Sequence, residues 1–186
     1  MILYFFILLF FLTVGSKQLS IANKPLFQYA KEHNRFIFLL LAIFLCGGYM
    51  TGSDWRSYEI SYIDADWSNL NYYLNEKSFY VLMILSKYIV NDFFTFLILS
   101  KFLVFYAILN FLQKFSPNIF ISSFFYIPLF GIFLFIDNPL RYMIALGFIT
   151  ISYRYLLDKK FFKFIILVLV ASQFHITVLI FIPFYF

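Results

Sequence analysis

Residues 93–112, FFTFLILSKFLVFYAILNFL, follow Asn91-Asp92 and decide the class of fold. Lys101 is their one charged residue. As a helix this stretch rises about 30 Å, the thickness of a bilayer's hydrocarbon core. Asn91-Asp92 supplies a capping residue at its start. The rest of the chain has the same character: 63% of the 186 residues are hydrophobic, 25% aromatic and 12% charged, with a mean hydropathy of +0.88. Soluble domains are roughly 45–50% apolar and about 25% charged. A soluble fold this small could not bury thirty Phe and fifteen Tyr, because too much of its volume lies near the surface. Lipid can solvate that area. The expected fold is an all-α polytopic transmembrane helix bundle, with residues 1–186 as a single membrane-embedded domain.

Toward the C-terminus, 118–136 reads as a further span interrupted by Pro128 and Gly131, tolerable where neighbouring helices satisfy the freed carbonyl. Asp137-Asn138-Pro139 is a helix start, a capping residue and then Pro at the first helical position. The span 139–157 ends at Asp158-Lys159-Lys160, and 161–185 forms the last span. Toward the N-terminus, 79–90 is apolar but too short to cross and reads as a re-entrant or interfacial helix. Residues 53–78 form an acidic, aromatic-rich extracytoplasmic loop with Asp54, Glu59, Asp64, Asp66, Glu76 and both Trp residues. Residues 36–52 are a span in which Gly47 and Gly48 permit close helix contact. Residues 1–15 lack a basic n-region and a small-residue cleavage site, so a retained helix is expected rather than a signal peptide.

Net charge is +5, and its placement sets orientation. The basic segments are 16–35, the turn at Lys114, and 154–163 with Arg154, Lys159, Lys160 and Lys163. Positive-inside places all three in the cytoplasm. That requires six crossings, both termini outside and 79–90 not crossing, in an inner-membrane, multi-pass protein. No Lys/Arg run is dense enough for a nucleic-acid arm. Cys46 is the single cysteine and permits no intrachain disulfide or thiolate cluster. Walker, dinucleotide-loop, H-E-x-x-H and Cys/His metal patterns are absent from the sequence, so neither metal nor cofactor is expected.

Ionisable groups inside spans are costly, and each poses a functional question. Arg141 falls in the first turn of a helix, where unpaired N–H groups and the helix dipole favour an anion. A guanidinium there suits phosphate; the alternative is an interfacial Arg that snorkels or pairs with Asp137. His175, in Ala171-Ser172-Gln173-Phe174-His175, sits about 20 Å above the cytoplasmic end of the last span. An imidazole can act as a general base near neutral pH, while a structural hydrogen bond between helices is the simpler reading. Asp54, Tyr58 and Tyr62 recur every four residues and share a face if 54–63 is helical. A carboxylate flanked by aromatic rings suits a sugar; a solvated loop with interfacial tyrosines is the alternative. Glu76 precedes the short apolar helix and could be only its N-terminal charge. Lys87 and Lys101 read as snorkelling or cavity-facing.

Taken in order, these residues resemble the EpsG-like branch of the Wzy-type polysaccharide polymerases. The signature is Gly52-x-Asp54 with Tyr58 and Tyr62, then Glu76 before Phe79-Tyr80. Arg141 with Ala145 follows, and then Ala171-Ser172-x-Phe174-His175 before Pro183-x-Tyr185. It covers about residues 50–186. Two departures stand out. Tyr142 replaces the Gln that usually follows the Arg, and the family carries further spans after the His segment, so the chain is expected to be the N-terminal part of a longer polymerase.

The resemblance implies transfer of a growing glycan onto the next repeat unit, both carried on undecaprenyl diphosphate at the outer face of the membrane. It implies catalytic roles for Arg141, His175 and Asp54, with Tyr58, Tyr62 and Glu76 binding substrate. The chemistry needs a base for the acceptor hydroxyl and cations for the leaving diphosphate. By simple helical rise, His175 lies about 10 Å deeper than Arg141, so the cavity would have to dip into the membrane. A flippase and a chain-length regulator are the expected protein partners. A transporter of lipid-linked sugars, or a non-catalytic partner in their assembly, is the alternative; the one-sided concentration of Asp, Glu, Tyr and Trp favours the enzyme.

Overall fold

A computed structural model describes residues 6, 9–16, 42, 46–47, 52, 54–72, 77–126 and 139–186. Among them there are helices and no strands. The α-helices are α1 (Trp55–Asp64), α2 (Lys77–Ile89), α3 (Phe93–Phe115), α4 (Ile119–Tyr126), α5 (Leu140–Leu157) and α6 (Phe161–Ser172). Two 3₁₀ segments, Trp67–Tyr72 and Ile176–Tyr185, complete the described elements. Of these, α3 is the one helix long and apolar enough to cross a membrane. Its start is capped by Asp92, whose Oδ2 accepts from the Thr95 N–H and hydroxyl, each at 2.7 Å.

α3 and α5 form the centre. α5 buries Leu140, Met143, Ile144 and Gly147 at three- and four-residue spacing. α3 answers with Leu97, Lys101, Val104 and Ile108. A Cβ on Gly147 would lie 3.3 Å from Val104 Cγ2, so glycine is what lets the two helices approach. On its other side α3 exposes Leu99, Phe102, Leu103 and Tyr106, a face suited to lipid. Lys101 is fully buried and therefore faces the interior.

Three expectations change. First, the stretch read as a loop at 53–78 is largely helical. α1 packs against α2 and α3 with Tyr58 and Tyr62 inward. Lys87 does not snorkel: its Nζ donates to the carbonyls of Ile63 and Ala65, both at 2.8 Å. It thus satisfies acceptors that the end of α1 leaves open.

Second, α5 starts one residue later than expected, with Pro139 as its N-cap. Its far end closes in a Schellman turn: Lys160 N–H reaches the Tyr155 carbonyl and Lys159 N–H the Leu156 carbonyl. Lys159 takes the left-handed position at φ 52°.

Third, 161–185 is not one crossing. α6 stops at Ser172, His175 is extended, and the 3₁₀ segment folds back. The Tyr185 ring comes to 5.0 Å from Phe161 and 5.6 Å from Phe164, so the two arms form a hairpin. The cause is local. The Ser172 hydroxyl back-bonds to the Leu169 carbonyl, which competes with helix. The run after His175, ITVLIFI, is rich in β-branched residues, which lose side-chain freedom in a helix. The count of six crossings loses its last member. The expected spans at 1–15, 36–52 and 118–136 lie wholly or partly outside the described residues, as do Glu76 and Asp137.

Candidate functional site

The first turn of α5 is the meeting point. Met143 N–H makes the first intrahelical bond, to the Pro139 carbonyl at 2.8 Å. The N–H groups of Leu140, Arg141 and Tyr142 precede it and form the electropositive end of the helix. Arg141 is the second residue of the helix and half-buried. Its guanidinium lies over the Tyr58 ring, 5.9 Å from the centroid. A cation on a ring face is attracted by the ring's negative face.

Tyr58 is itself fixed. It is 6% exposed and stands edge-on to Phe79 of α2 at 5.5 Å. α1 and α2 together therefore build the floor on which Arg141 rests. Asp54 caps α1 one turn before Tyr58, and its carbonyl accepts the Tyr58 N–H at 3.1 Å. Its side chain is exposed. Tyr62, one turn further, is drawn into packing. It stacks on Phe96 at 5.5 Å, donates its hydroxyl to the Val90 carbonyl at 3.1 Å and carries Lys87 over its ring.

The tip of the C-terminal hairpin delivers His175 to the same place. Its imidazole stands edge-on to Tyr142, with centroids 5.3 Å apart. Phe174 next to it stacks on Phe148 of α5 at 5.5 Å, which anchors the tip. This removes the depth mismatch expected between His175 and Arg141. Tyr142 lies fifteen residues before the end of α5, about 22 Å of rise. α6 climbs about 17 Å, and the turn at Gln173 and Phe174 with extended His175 supplies the rest. His175 and Tyr142 thus come level, and their rings meet.

Two residues here were not assigned a role from sequence. Thr177 Oγ1 is 2.8 Å from His175 Nδ1; the His-x-Thr spacing is the signal that could have found it. Tyr142 stood out only as a departure from the usual Gln, and it proves to be the ring against which the imidazole rests. Asp54, Tyr58, Arg141 and His175 thus belong to one neighbourhood, while Tyr62 lies beneath it. No group of His, Cys, Asp and Glu among the described residues could hold a metal ion.

The family model for EpsG matches residues 33–186, well over half of the chain. The chain belongs to the EpsG family. Membership makes it membrane-associated, in keeping with α3, and points to a role in polysaccharide biosynthesis. The match takes in every residue of this neighbourhood. No curated protein and no solved structure matches the EpsG-family chain.

Proposed function

We propose that this EpsG-family protein polymerises undecaprenyl-diphosphate-linked repeat units at the outer face of the inner membrane. One observation carries the reading: a guanidinium and an imidazole from distant parts of the sequence flank one helix N-terminus. Arg141 rests on Tyr58 and His175 rests on Tyr142.

The roles follow from the chemistry. The acceptor hydroxyl of one repeat unit attacks the anomeric carbon of the growing chain. Its oxygen forms the new C–O bond as the bond to the lipid diphosphate breaks. His175 takes the hydroxyl proton. The electron pair of the broken bond goes to the diphosphate, whose added charge is met by Arg141 and the N–H groups beside it. Asp54, exposed one helical turn before Tyr58, binds sugar hydroxyls or shares the proton. Tyr62 supports α1 from below, and Glu76 is the further substrate-binding carboxylate that the family resemblance implies.

The test is turnover of purified protein in lipid discs with a lipid-linked repeat unit. Lengthened glycan on lipid, with free undecaprenyl diphosphate released in step, supports the proposal. Movement of the unit across the bilayer without lengthening would instead identify a transporter.

A further inference from the structure

The opposite end of α3 and α5 holds a second arrangement that polymerisation does not use. The last turns of the two helices meet through rings. Phe111 and Phe115 each stand edge-on to Tyr153, at 5.3 and 5.5 Å. Beside them lies a cavity of about 230 Å³ whose wall includes Ile108, Leu112, Tyr126 and Ile149. The wall is almost wholly apolar, and the Thr150 hydroxyl at its edge is turned to the Leu146 carbonyl at 2.8 Å. An apolar cavity of about 150 Å³ accepts a benzene-sized guest. This one therefore accommodates several methylene groups of an extended chain.

Cations gather on the same side. Lys114, in the last turn of α3, lies over the Phe115 ring at 5.4 Å. Arg154 follows Tyr153 on α5. Lys160 and Arg154 both approach Asp158, at 3.1 and 3.9 Å. The Lys160 hydrogen bond, with the charges of Lys160, Arg154 and Lys114, holds the Asp158 carboxyl below the usual carboxylate range. One carboxylate thus sits among three cations, from α3, from α5 and from the turn after α5, and a positive excess remains. The Arg154 and Lys160 side chains are 60% and 52% exposed, so each can also reach a headgroup.

We propose that this end of the molecule binds an anionic phospholipid, with an acyl chain in the cavity and the headgroup phosphate on Lys114 and Arg154. An apolar slot and a basic mouth on adjacent helix ends match the two parts of such a lipid. A zwitterionic lipid fits the slot equally well but brings no net charge to the cations. The slot therefore gives membership and the mouth gives selectivity.

The experiment uses the whole protein in detergent, with native mass spectrometry to count retained lipid. Phosphatidylglycerol and phosphatidylcholine of identical chains are titrated in parallel, and inorganic phosphate alone is followed by thermal melting. One phosphatidylglycerol should be retained in clear preference to phosphatidylcholine, and phosphate should leave the melting temperature unchanged. The Lys114→Ala, Arg154→Ala double variant should bind phosphatidylglycerol on the order of 25-fold more weakly, roughly fivefold for each cation. Ile149→Trp, which fills the slot, should weaken both lipids. Equal retention of the two lipids by the unaltered protein overturns the proposal without any variant. Stabilisation by phosphate alone overturns it too, because the site would then be for a free anion.

Discussion

The imidazole of His175 stands edge-on to the ring of Tyr142, 5.3 Å between centroids, although the two residues lie on different arms of the fold. Tyr142 adjoins Arg141 in the first turn of α5. His175, the proposed base, therefore contacts the residue next to Arg141, the proposed cation. The early stop of α6 turns the chain back at this level. A straight span through 161–185 would have carried the chain past Tyr142 and left no returning arm beside Phe161.

Thr177 is expected to set which nitrogen of His175 is available. For Nε2 to accept a proton, Nδ1 must carry one, and it then donates to Thr177 Oγ1 across 2.8 Å. Thr177→Ala should lower kcat/KM roughly fivefold, the value of a hydrogen bond worth about 1 kcal/mol. Thr177→Ser should restore it. Nitrogen-15 NMR of labelled His175 should report the Nδ1–H tautomer in the unaltered protein. Finding Nδ1 unprotonated there would give the orienting role to some other group.

Gly147 is expected to control the approach of α3 and α5. Gly147→Leu forces a side chain against Val104, whose Cγ2 is only 3.3 Å from where a Cβ would sit. The cost of such overpacking is about 1–3 kcal/mol, readable as a drop in melting temperature. Val104→Ala in the same chain should recover part of the loss, a coupling expected only for residues in contact. Strict additivity of the two changes would show that they do not touch.

Asp92 makes the start of α3 sensitive to acid. The Thr95 hydroxyl and N–H hold its carboxyl below the usual carboxylate range. A carboxyl lowered on folding contributes stability above its unfolded pKa of about 3.9 and loses it as pH falls through the folded value. Asp92→Ala should therefore melt below the unaltered protein at about pH 6, and the gap should narrow progressively as pH falls below about 3.9. A gap that stays constant across that range would assign the effect to something other than this cap.

Much of this was legible in the residues. The apolar run 93–112 and its Asp92 cap read directly as α3, and the brevity of 79–90 matches α2 at Lys77–Ile89. The four-residue spacing of Tyr58 and Tyr62 placed them on one face. It could not say that the face turns inward, because inward and outward aromatic faces have the same period when both sides of a helix meet apolar surroundings. The hairpin was hidden for a related reason. Uniform hydrophobicity through 161–185 fits one long helix as well as two short arms, and only Ser172, Gln173 and the β-branched run mark the break. Thr177 and Tyr142 became visible as partners of His175 only once that break had brought the tip back to α5.

In the proposed transfer, Arg141 carries the charge of the departing diphosphate. Charge grows on that group as the glycosidic bond breaks, so a fixed guanidinium stabilises the transition state more than the bound substrate. Losing such a donor costs on the order of 10²–10³ in rate, and Lys should not replace the two-pronged geometry. The direct measurement is single-turnover glycan transfer by Arg141→Ala and Arg141→Lys, each first shown by thermal melting to be folded. A fall on the order of 10²–10³ is expected for Ala and a clear defect for Lys. A folded Ala variant that transfers glycan at the unaltered rate would contradict it.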